Sequence, residues 1–374
     1  MVDRANTAPR GNVYLTGRGL AALFFFTMFQ FALLDGPMWM ARAGGQHGWV
    51  TLAVGALLGL PALLAILDLA ARFPGKTIYQ YAGDILGRPL AFAGNGLLLA
   101  YTVVFLGYFL RQFNDVVQTY LLPRTPTWAI VSLVLSGIML VIILGPLALS
   151  RLAQMLVLPV VAASLGMLVL AMRNIQLQFL MPVWPVPWTA VAAGLTAGFI
   201  PFLPIKHLPV QLAMVHHPER QRLWVLAVYG VVALFKVAVV AASIAIFGDR
   251  ATGLLSWPAL EALRVVQVPL ALLEELGLPG LVVYQVVLFV SSAVYFASDY
   301  IGLPVWLGLG PRVMPYLVPL LAVLAGTVAL LPQDQAQLDA LRHLILYGGY
   351  YAAGAYPLLL WAVARVRGLG VRSR

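Results

Sequence analysis

The chain has 374 residues, of which 62% are hydrophobic and only 10% charged, with a formal net charge of +10. It has no cysteine, which excludes disulfides, thiolate metal sites and thiol catalysis. Nearly all of its length falls into apolar stretches of bilayer-crossing size, so the solvent for most of it is lipid and the spans must be helices.

The residues before Arg18 are polar, and the first apolar stretch is too long for a signal-peptide core, so no cleavable leader is expected. The spans are expected at roughly 18–41, 48–71, 90–121, 126–146, 151–172, 188–213, 222–247, 279–302, 313–331 and 341–364. The fold class is therefore an all-α membrane protein of about ten transmembrane helices. With the N-terminus placed in the cytoplasm, inner loops and tails hold 14 basic residues, from Arg4, Arg10 and Arg18 to Arg372 and Arg374. The outer loops hold six: Arg42, Arg124, Arg173, Arg250, Arg264 and Arg342. That asymmetry puts both termini inside. The whole chain reads as one membrane unit: a tail over 1–17, spans over 18–172 and 188–364, and a tail over 365–374.

Two spans are interrupted. The first contains Asp35-Gly36-Pro37 and the sixth contains Pro201-Phe202-Leu203-Pro204. Proline removes a donor and clashes with the preceding turn, so carbonyls near Phe31 to Leu34 are expected to be freed. Breaks at corresponding places in two halves point to a transporter-type site and a five-plus-five inverted repeat. A proline kink with Asp35 paired for structural reasons is the plainer alternative.

Ionisable residues inside spans are costly and mark candidate sites. Lys206 follows the sixth-span break. If the breaks face one another, Lys206 approaches Asp35; otherwise it snorkels to the headgroups with His207. In the third span Tyr101, Tyr108, Arg111, Gln112 and Asp115 share a helix sector of roughly 100°. Arg111 and Asp115 are four apart and expected to pair as a buried polar network. Tyr284, Ser291, Tyr295 and Ser298 form a stripe on the eighth span, where small and hydroxylated residues also serve helix packing. Lys236, in the seventh span, has no evident partner in the sequence. The candidate ligand-binding residues are Asp35, Gly36, Pro37, Tyr101, Tyr108, Pro201, Phe202, Lys206, Ser291 and Tyr295.

Two segments are expected outside the spans. Thr77 to Leu86 suits a short interfacial helix, with Ile78, Tyr81, Ala82 and Ile85 at helical spacing. The stretch from 248 to 277 suits an outer amphipathic loop, as a lid or as a helix lying on the bundle. None of the five histidines has zinc-type spacing, and there is no phosphate loop, nucleophile elbow or paired carboxylates placed for hydrolysis. No enzymatic function, catalytic residue, metal or cofactor is expected, and the positive charge reads as topology rather than nucleic-acid binding.

Several motifs together resemble the spore germination permeases, the B subunits of endospore germinant receptors. Ala43-Gly44-Gly45-Gln46-His47-Gly48-Trp49 is similar to their Ala-Gly-Gln-Asp-Ala-Trp stretch. Phe73-Pro74-Gly75-Lys76-Thr77, followed by Ile85-Leu86-Gly87-Arg88, resembles their Phe-Pro-x-x-Thr segment and its trailing Leu-Gly-Lys. Leu122-Pro123-Arg124-Thr125-Pro126, the Gly145 to Arg151 loop with Pro159 beyond it, Pro182, and Pro201-Phe202 match in order. The chain departs from the family pattern at His47, Leu147, Leu203-Pro204 and Glu274-Glu275, where acidic or acidic-basic residues are usual in the family.

The resemblance implies a fold of the amino acid–polyamine–organocation superfamily with broken first and sixth helices. It implies a germinant-sensing role in the spore inner membrane, with A-type and lipoprotein C-type subunits as partners. The ligand it implies is a small germinant, commonly an amino acid. A secondary amino acid transporter of the same superfamily is the alternative.

Overall fold

The computed structural model describes residues 15–30, 35–265 and 277–370. Carbonyls 31–34, Glu274-Glu275 and most of the second half of the expected outer loop lie outside the described residues. The described architecture is helical, and its single β-type pairing is an isolated parallel bridge between Leu15 and Val215.

The described helices group into ten segments, taken here as spans in chain order. The first is α1 (Gly17–Phe29) followed by α2 (Gly36–Gly44). The second is α3 (Gly48–Arg72), set off from α2 by Gly45, whose φ of 57° only glycine adopts without strain. Next come the short α4 (Ile78–Leu86), then α5 (Arg88–Tyr120), α6 (Thr127–Ile143) and α7 (Pro146–Ala171) as spans three to five. The sixth span is α8 (Trp188–Thr196), a 3-10 stretch over Ala197–His207, and α9 (Leu208–Ala213). The seventh is α10 (Arg222–Leu254), interrupted at Gly248 where φ is 76°. After α11 (Pro258–Val265) come α12 (Gly277–Leu307) and α13 (Met314–Leu330) as spans eight and nine. The tenth is α14 (Gln335–Gly349), a π-turn over Tyr350–Ala355, and α15 (Tyr356–Val366). Among the described residues seven helical stretches are long and apolar enough to cross a bilayer by themselves; Gly17–Phe29 and Thr127–Ile143 are shorter apolar helices.

Local chemistry explains the two unusual pieces. Helix α4 starts at a capping box, in which the Thr77 side chain accepts from the N3 backbone and Gln80 accepts from the Thr77 amide at 2.8 Å. Its apolar face, Ile78, Tyr81, Ala82 and Ile85, is buried against the bundle as the sequence spacing predicts. The sixth-span interruption is much longer than the four-residue break expected. Pro201 and Pro204 each remove an amide donor, and the chain adopts the tighter 3-10 geometry over the whole of Ala197–His207.

The breaks sit at the centre because α1 packs against α7, α10 and α12, while the 3-10 stretch packs on α3. Contact with α3 is backbone on backbone: a Cβ added to Gly55 would lie 1.9 Å from the carbonyl oxygen of Gly198, and one added to Gly198 would lie 2.2 Å from that of Thr51. Small residues allow such approach between membrane helices, where packing rather than the hydrophobic effect drives association. The Thr51 hydroxyl adds a hydrogen bond to Ala190 O at 3.0 Å, and Tyr229 donates to Ala56 O at 2.6 Å.

The face carrying both described ends is laced by polar contacts. Asp68 of α3 accepts from Arg72 at 2.9 Å and from the Trp361 indole of α15 at 2.8 Å, with Arg365 at 3.6 Å. On the opposite face Tyr120, at the end of α5, donates to Glu261 of α11. Arg42 of α2 donates to Gly253 O at 2.6 Å. His47 lies 3.0 Å from Pro182 O through its Nε2.

The Gly55–Gly198 contact gives a direct test. Gly55→Ala is expected to lower the melting temperature and yield of the purified protein, at an overpacking cost of about 1–3 kcal/mol. Gly166→Ala, whose added Cβ meets nothing within 4 Å, is expected to melt like the parent or higher. Equal melting of both variants and the parent would refute the close approach.

Candidate functional site

A helix that stops inside a bilayer leaves its last carbonyls without donors and without water. At the end of α1 the donors come from α12. Tyr295 donates its phenol to Thr27 O at 2.8 Å, and Ser291 Oγ lies 2.6 Å from Phe26 O and 2.7 Å from Val287 O. The Thr27 hydroxyl donates to Leu23 O at 2.7 Å and accepts from Gln211 of α9 at 2.8 Å. Ser291 and Tyr295 thus hold the first break to the eighth span, and Gln211 ties it to the sixth.

Across the first break, Gly36 and Pro37 open α2 and Asp35 occupies its N-cap position, only 1% exposed. Pro37 sits where an intrahelical donor would be unused. One carboxylate oxygen, Oδ2, accepts from Tyr108 at 3.0 Å, Trp39 at 3.1 Å and Gln112 at 3.3 Å. Gln112 also donates to the Tyr108 hydroxyl at 2.5 Å. Hydrogen bonds to a charged group contribute about 1.5–3 kcal/mol each. Three of them offset a desolvation cost of several kcal/mol for a buried carboxylate. The other oxygen, Oδ1, is buried with no hydrogen bond. Asp35, Trp39 and Tyr108 line a pocket with Ile200 of the sixth span and Arg342, His343, Ile345 and Leu346 of α14. The two breaks therefore contribute to one pocket.

The sixth-span break has its own internal cation. Lys236 of α10 donates to Pro201 O, with its ammonium 4.7 Å from the centroid of the Phe202 ring. A seventh-span lysine with no evident partner in the sequence thus caps a carbonyl of the 3-10 stretch.

Lys206 takes neither course expected from the sequence. It is 3% exposed, so it does not snorkel, and it makes no ion pair with Asp35. Its ammonium lies 3.0 Å from the centroid of the Phe105 ring and 4.9 Å from that of Tyr101, a cation–π seat. Asp299 of α12, fully buried with Thr102 beside it, is the acidic group nearest in effect to Lys206. Position along α5 explains the separation. Lys206 sits at the level of Tyr101 and Phe105, Asp35 at the level of Tyr108 and Gln112, and seven residues of helix span about 10 Å. Tyr101 accordingly donates to Ile345 O at 3.1 Å and belongs to the Lys206 layer. His207 completes that layer, stacked on Tyr295 with centroids 4.4 Å apart.

Arg111 and Asp115 pair at 2.7 Å, but away from both layers. Arg111 also donates to Pro332 O beyond the end of α13, so the pair fastens α5 to the ninth span. Two groups escaped the sequence reading. Asp299 follows the Ser291–Tyr295–Ser298 stripe and sits close to the expected end of its span. Arg342 was counted among the outer loop cations, yet it lies against Tyr108 and within electrostatic reach of Asp35. Its basic side chain just before an apolar run was the available signal.

Two interrupted spans, each re-satisfied by neighbouring helices and together lining a buried polar pocket, define a permease-like membrane protein built on broken helices. The fold matches a substrate-bound, outward-open Na+-coupled sialic acid symporter with a TM-score of 0.67 at 11% identity, covering 93% of this chain and 79% of that one. Residues 14–337 match the family described as spore germination protein, and the chain belongs to that family. Curated relatives include spore germination protein YndE of Bacillus subtilis (strain 168), 22% identical over 324 residues, which covers 86% of this chain and 88% of YndE. YfkT of the same organism is 24% identical over 261 residues, 66% of this chain and 68% of YfkT.

The capping of α1 can be checked by removing one oxygen. Tyr295→Phe keeps the ring stacked on His207 but removes the donor that α12 offers Thr27 O, in a medium without water. It is expected to lower the melting temperature of the detergent-solubilised protein, by the equivalent of about 1–3 kcal/mol. An unchanged melting temperature would contradict the capping role.

Proposed function

We propose that this chain is the permease-like, germinant-sensing subunit of a spore germinant receptor. It binds a small solute such as an amino acid between its broken helices, and binding triggers germination. The observation that carries the reading is the pocket where Asp35 of the first break and Ile200 of the sixth-span 3-10 stretch meet under Tyr108. Membership of the spore germination family supports the role, and the fold supports the position of the site. Asp35, Gly36, Pro37 and Tyr108 are the proposed contact residues. Tyr101, Pro201, Phe202, Lys206, Ser291 and Tyr295 are proposed to carry the change outward from it, because they hold the two breaks to α5, α10 and α12.

In this reading the chain sits in the spore inner membrane with both termini cytoplasmic, as the basic asymmetry favours. Its partners are the A-type and lipoprotein C-type subunits, and spans one to five and six to ten form the two inverted halves.

Replacing Asp35 by Asn in the spore-forming host tests the role. Variant spores are expected to lose the fall in optical density that the parent's germinant produces, while the protein remains in the membrane. Germination at the parental rate would refute the proposal. Solute uptake by proteoliposomes containing the chain alone, with germination intact in spores lacking it, would assign it instead as a secondary transporter.

A further inference from the structure

The first turns of α1, α7 and α10 come together at the face that carries the described ends. The Leu15 amide donates to Met214 O at 2.7 Å and pins the start of α1 to the segment before α10. A Cβ added to Gly17 would lie 2.5 Å from Gln221 Oε1, and one added to Gly19 would lie 2.3 Å from Ser150 Oγ. Arg18 stands between those two glycines, Arg151 follows Ser150, and Arg220 and Arg222 bracket Gln221. Four exposed arginines, from three helices and the 3-10 turn over Pro218–Gln221, are thus gathered around one helix start. Among the described residues none of the four makes an ion pair. The carboxylates of that face are committed: Asp68 to Arg72, Asp84 to Lys76, and Glu219 to His217. The chain's own ends bring no counter-charge, since Arg4 and Arg10 outnumber Asp3 in residues 1–14, and residues 371–374 hold Arg372 and Arg374 without an acid.

Next to the arginines the surface is hydrocarbon. Arg151 heads the exposed stripe of α7, continued at helical spacing by Met155, Leu158 and Leu165. Arg222 is followed by exposed Leu223 and Trp224, and Trp224 heads the exposed stripe of α10, continued by Val231 and Leu234. A tryptophan at the head of such a stripe belongs at the level of the lipid headgroups.

We propose that the starts of α1, α7 and α10 form a binding site for an anionic phospholipid of the adjoining leaflet, its phosphate on the arginines and its acyl chains along the stripes of α7 and α10. Cations and apolar surface within a helical turn of each other fit a ligand that carries both negative charge and hydrocarbon. An acidic protein segment would answer the arginines alone. Guanidinium forks pair bidentately with phosphate oxygens, and basic residues between membrane helices at headgroup depth suit anionic lipid. Because α1 runs from this site to the first break, a lipid bound here holds the near half of the broken span against α7 and α10.

The test melts the purified full-length protein in a neutral detergent with increasing amounts of four probes. These are dioctanoyl phosphatidylglycerol, dioctanoyl phosphatidylcholine, glycerol 3-phosphate (the anionic head without tails) and a hexaglutamate peptide. Phosphatidylglycerol is expected to raise the Tm saturably, and the other three to leave it unchanged. Arg18→Gln, Arg151→Gln and Arg222→Gln are each expected to raise the half-saturating lipid concentration about fivefold. Arg151→Lys, which keeps the charge without the fork, is expected to fall between Arg151→Gln and the parent, and separates lost binding from lost folding. Arg312→Gln, exposed on the same face in the turn before α13, is expected to respond like the parent.

Equal stabilisation by phosphatidylcholine would overturn the site, since acyl chains alone would then suffice. So would a loss in Arg312→Gln as large as in Arg151→Gln, which would mean a diffuse charge effect. Glycerol 3-phosphate acting as strongly as the lipid would make this a free-phosphate site, and stabilisation by hexaglutamate would make it a docking surface for acidic protein; either would overturn the lipid assignment. No response to phosphatidylglycerol would overturn it outright.

Discussion

The structure is governed by one constraint: a helix that stops inside the bilayer must have its freed backbone groups answered by protein, because no water is there to do so. Helix α1 ends at Phe29, and α8 gives way to a 3-10 stretch at Ala197. The donors that answer them define which helices surround the centre. Ser291 and Tyr295 bring in α12 and Lys236 brings in α10, while Gln211 of α9 is held by the Thr27 hydroxyl. Once those helices are fixed, α5 is left to supply the polar face that meets Asp35 and Lys206. The interrupted backbone is thus both the costliest part of the fold and the part that makes a polar pocket possible.

That arrangement separates the intramembrane charges into layers. Asp35 and Arg342 share one level with Tyr108. Lys206 and Asp299 share another with Tyr101, Phe105 and His207, and Lys236 is committed to the backbone. Lys206 held over the Phe105 ring and the buried Asp299 carboxylate form a centre separate from the Asp35 pocket, tied to it through α5, the sixth span and the Tyr101 hydrogen bond to Ile345 O of α14. The remaining charged pairs lie at the two faces. Asp68 with Arg72 and Trp361 closes the face that carries the described ends, and Tyr120 with Glu261 closes the other. These contacts lock helices together where spans emerge from the membrane.

Much of this was legible in the sequence for physical reasons. Asp35-Gly36-Pro37 and the pair Pro201 and Pro204 announce interruptions because proline cannot donate. The α4 helix shows in its apolar spacing. The polar sector of the third span shows in its 100° periodicity, since a polar face in lipid must turn inward. What the sector could not tell is that its residues serve three ends: Tyr108 and Gln112 reach Asp35, Tyr101 supports the Lys206 layer, and Arg111 with Asp115 fastens the ninth span. Contacts between helices depend on relative height and rotation, which one helix's periodicity does not encode. The expected Asp35–Lys206 approach failed on height alone, about 10 Å along α5. Arg342 was missed because a charge near a span end counts equally well as a loop cation. Lys236 had no partner in sequence because its partner is a backbone carbonyl.

The central claim is that the two breaks line a solute-accessible pocket rather than a sealed kink. The absence of cysteine makes single-cysteine labelling clean. Ile200→Cys, in the pocket wall, and Leu234→Cys, at a position 71% exposed on the outside of α10, should be compared in membranes with a charged, water-soluble methanethiosulfonate reagent. The account predicts that the cysteine at 200 reacts faster than the lipid-facing one, and that a solute which stabilises the protein slows it. A cysteine at 200 that reacts no faster than the one at 234, with or without solute, would contradict the account.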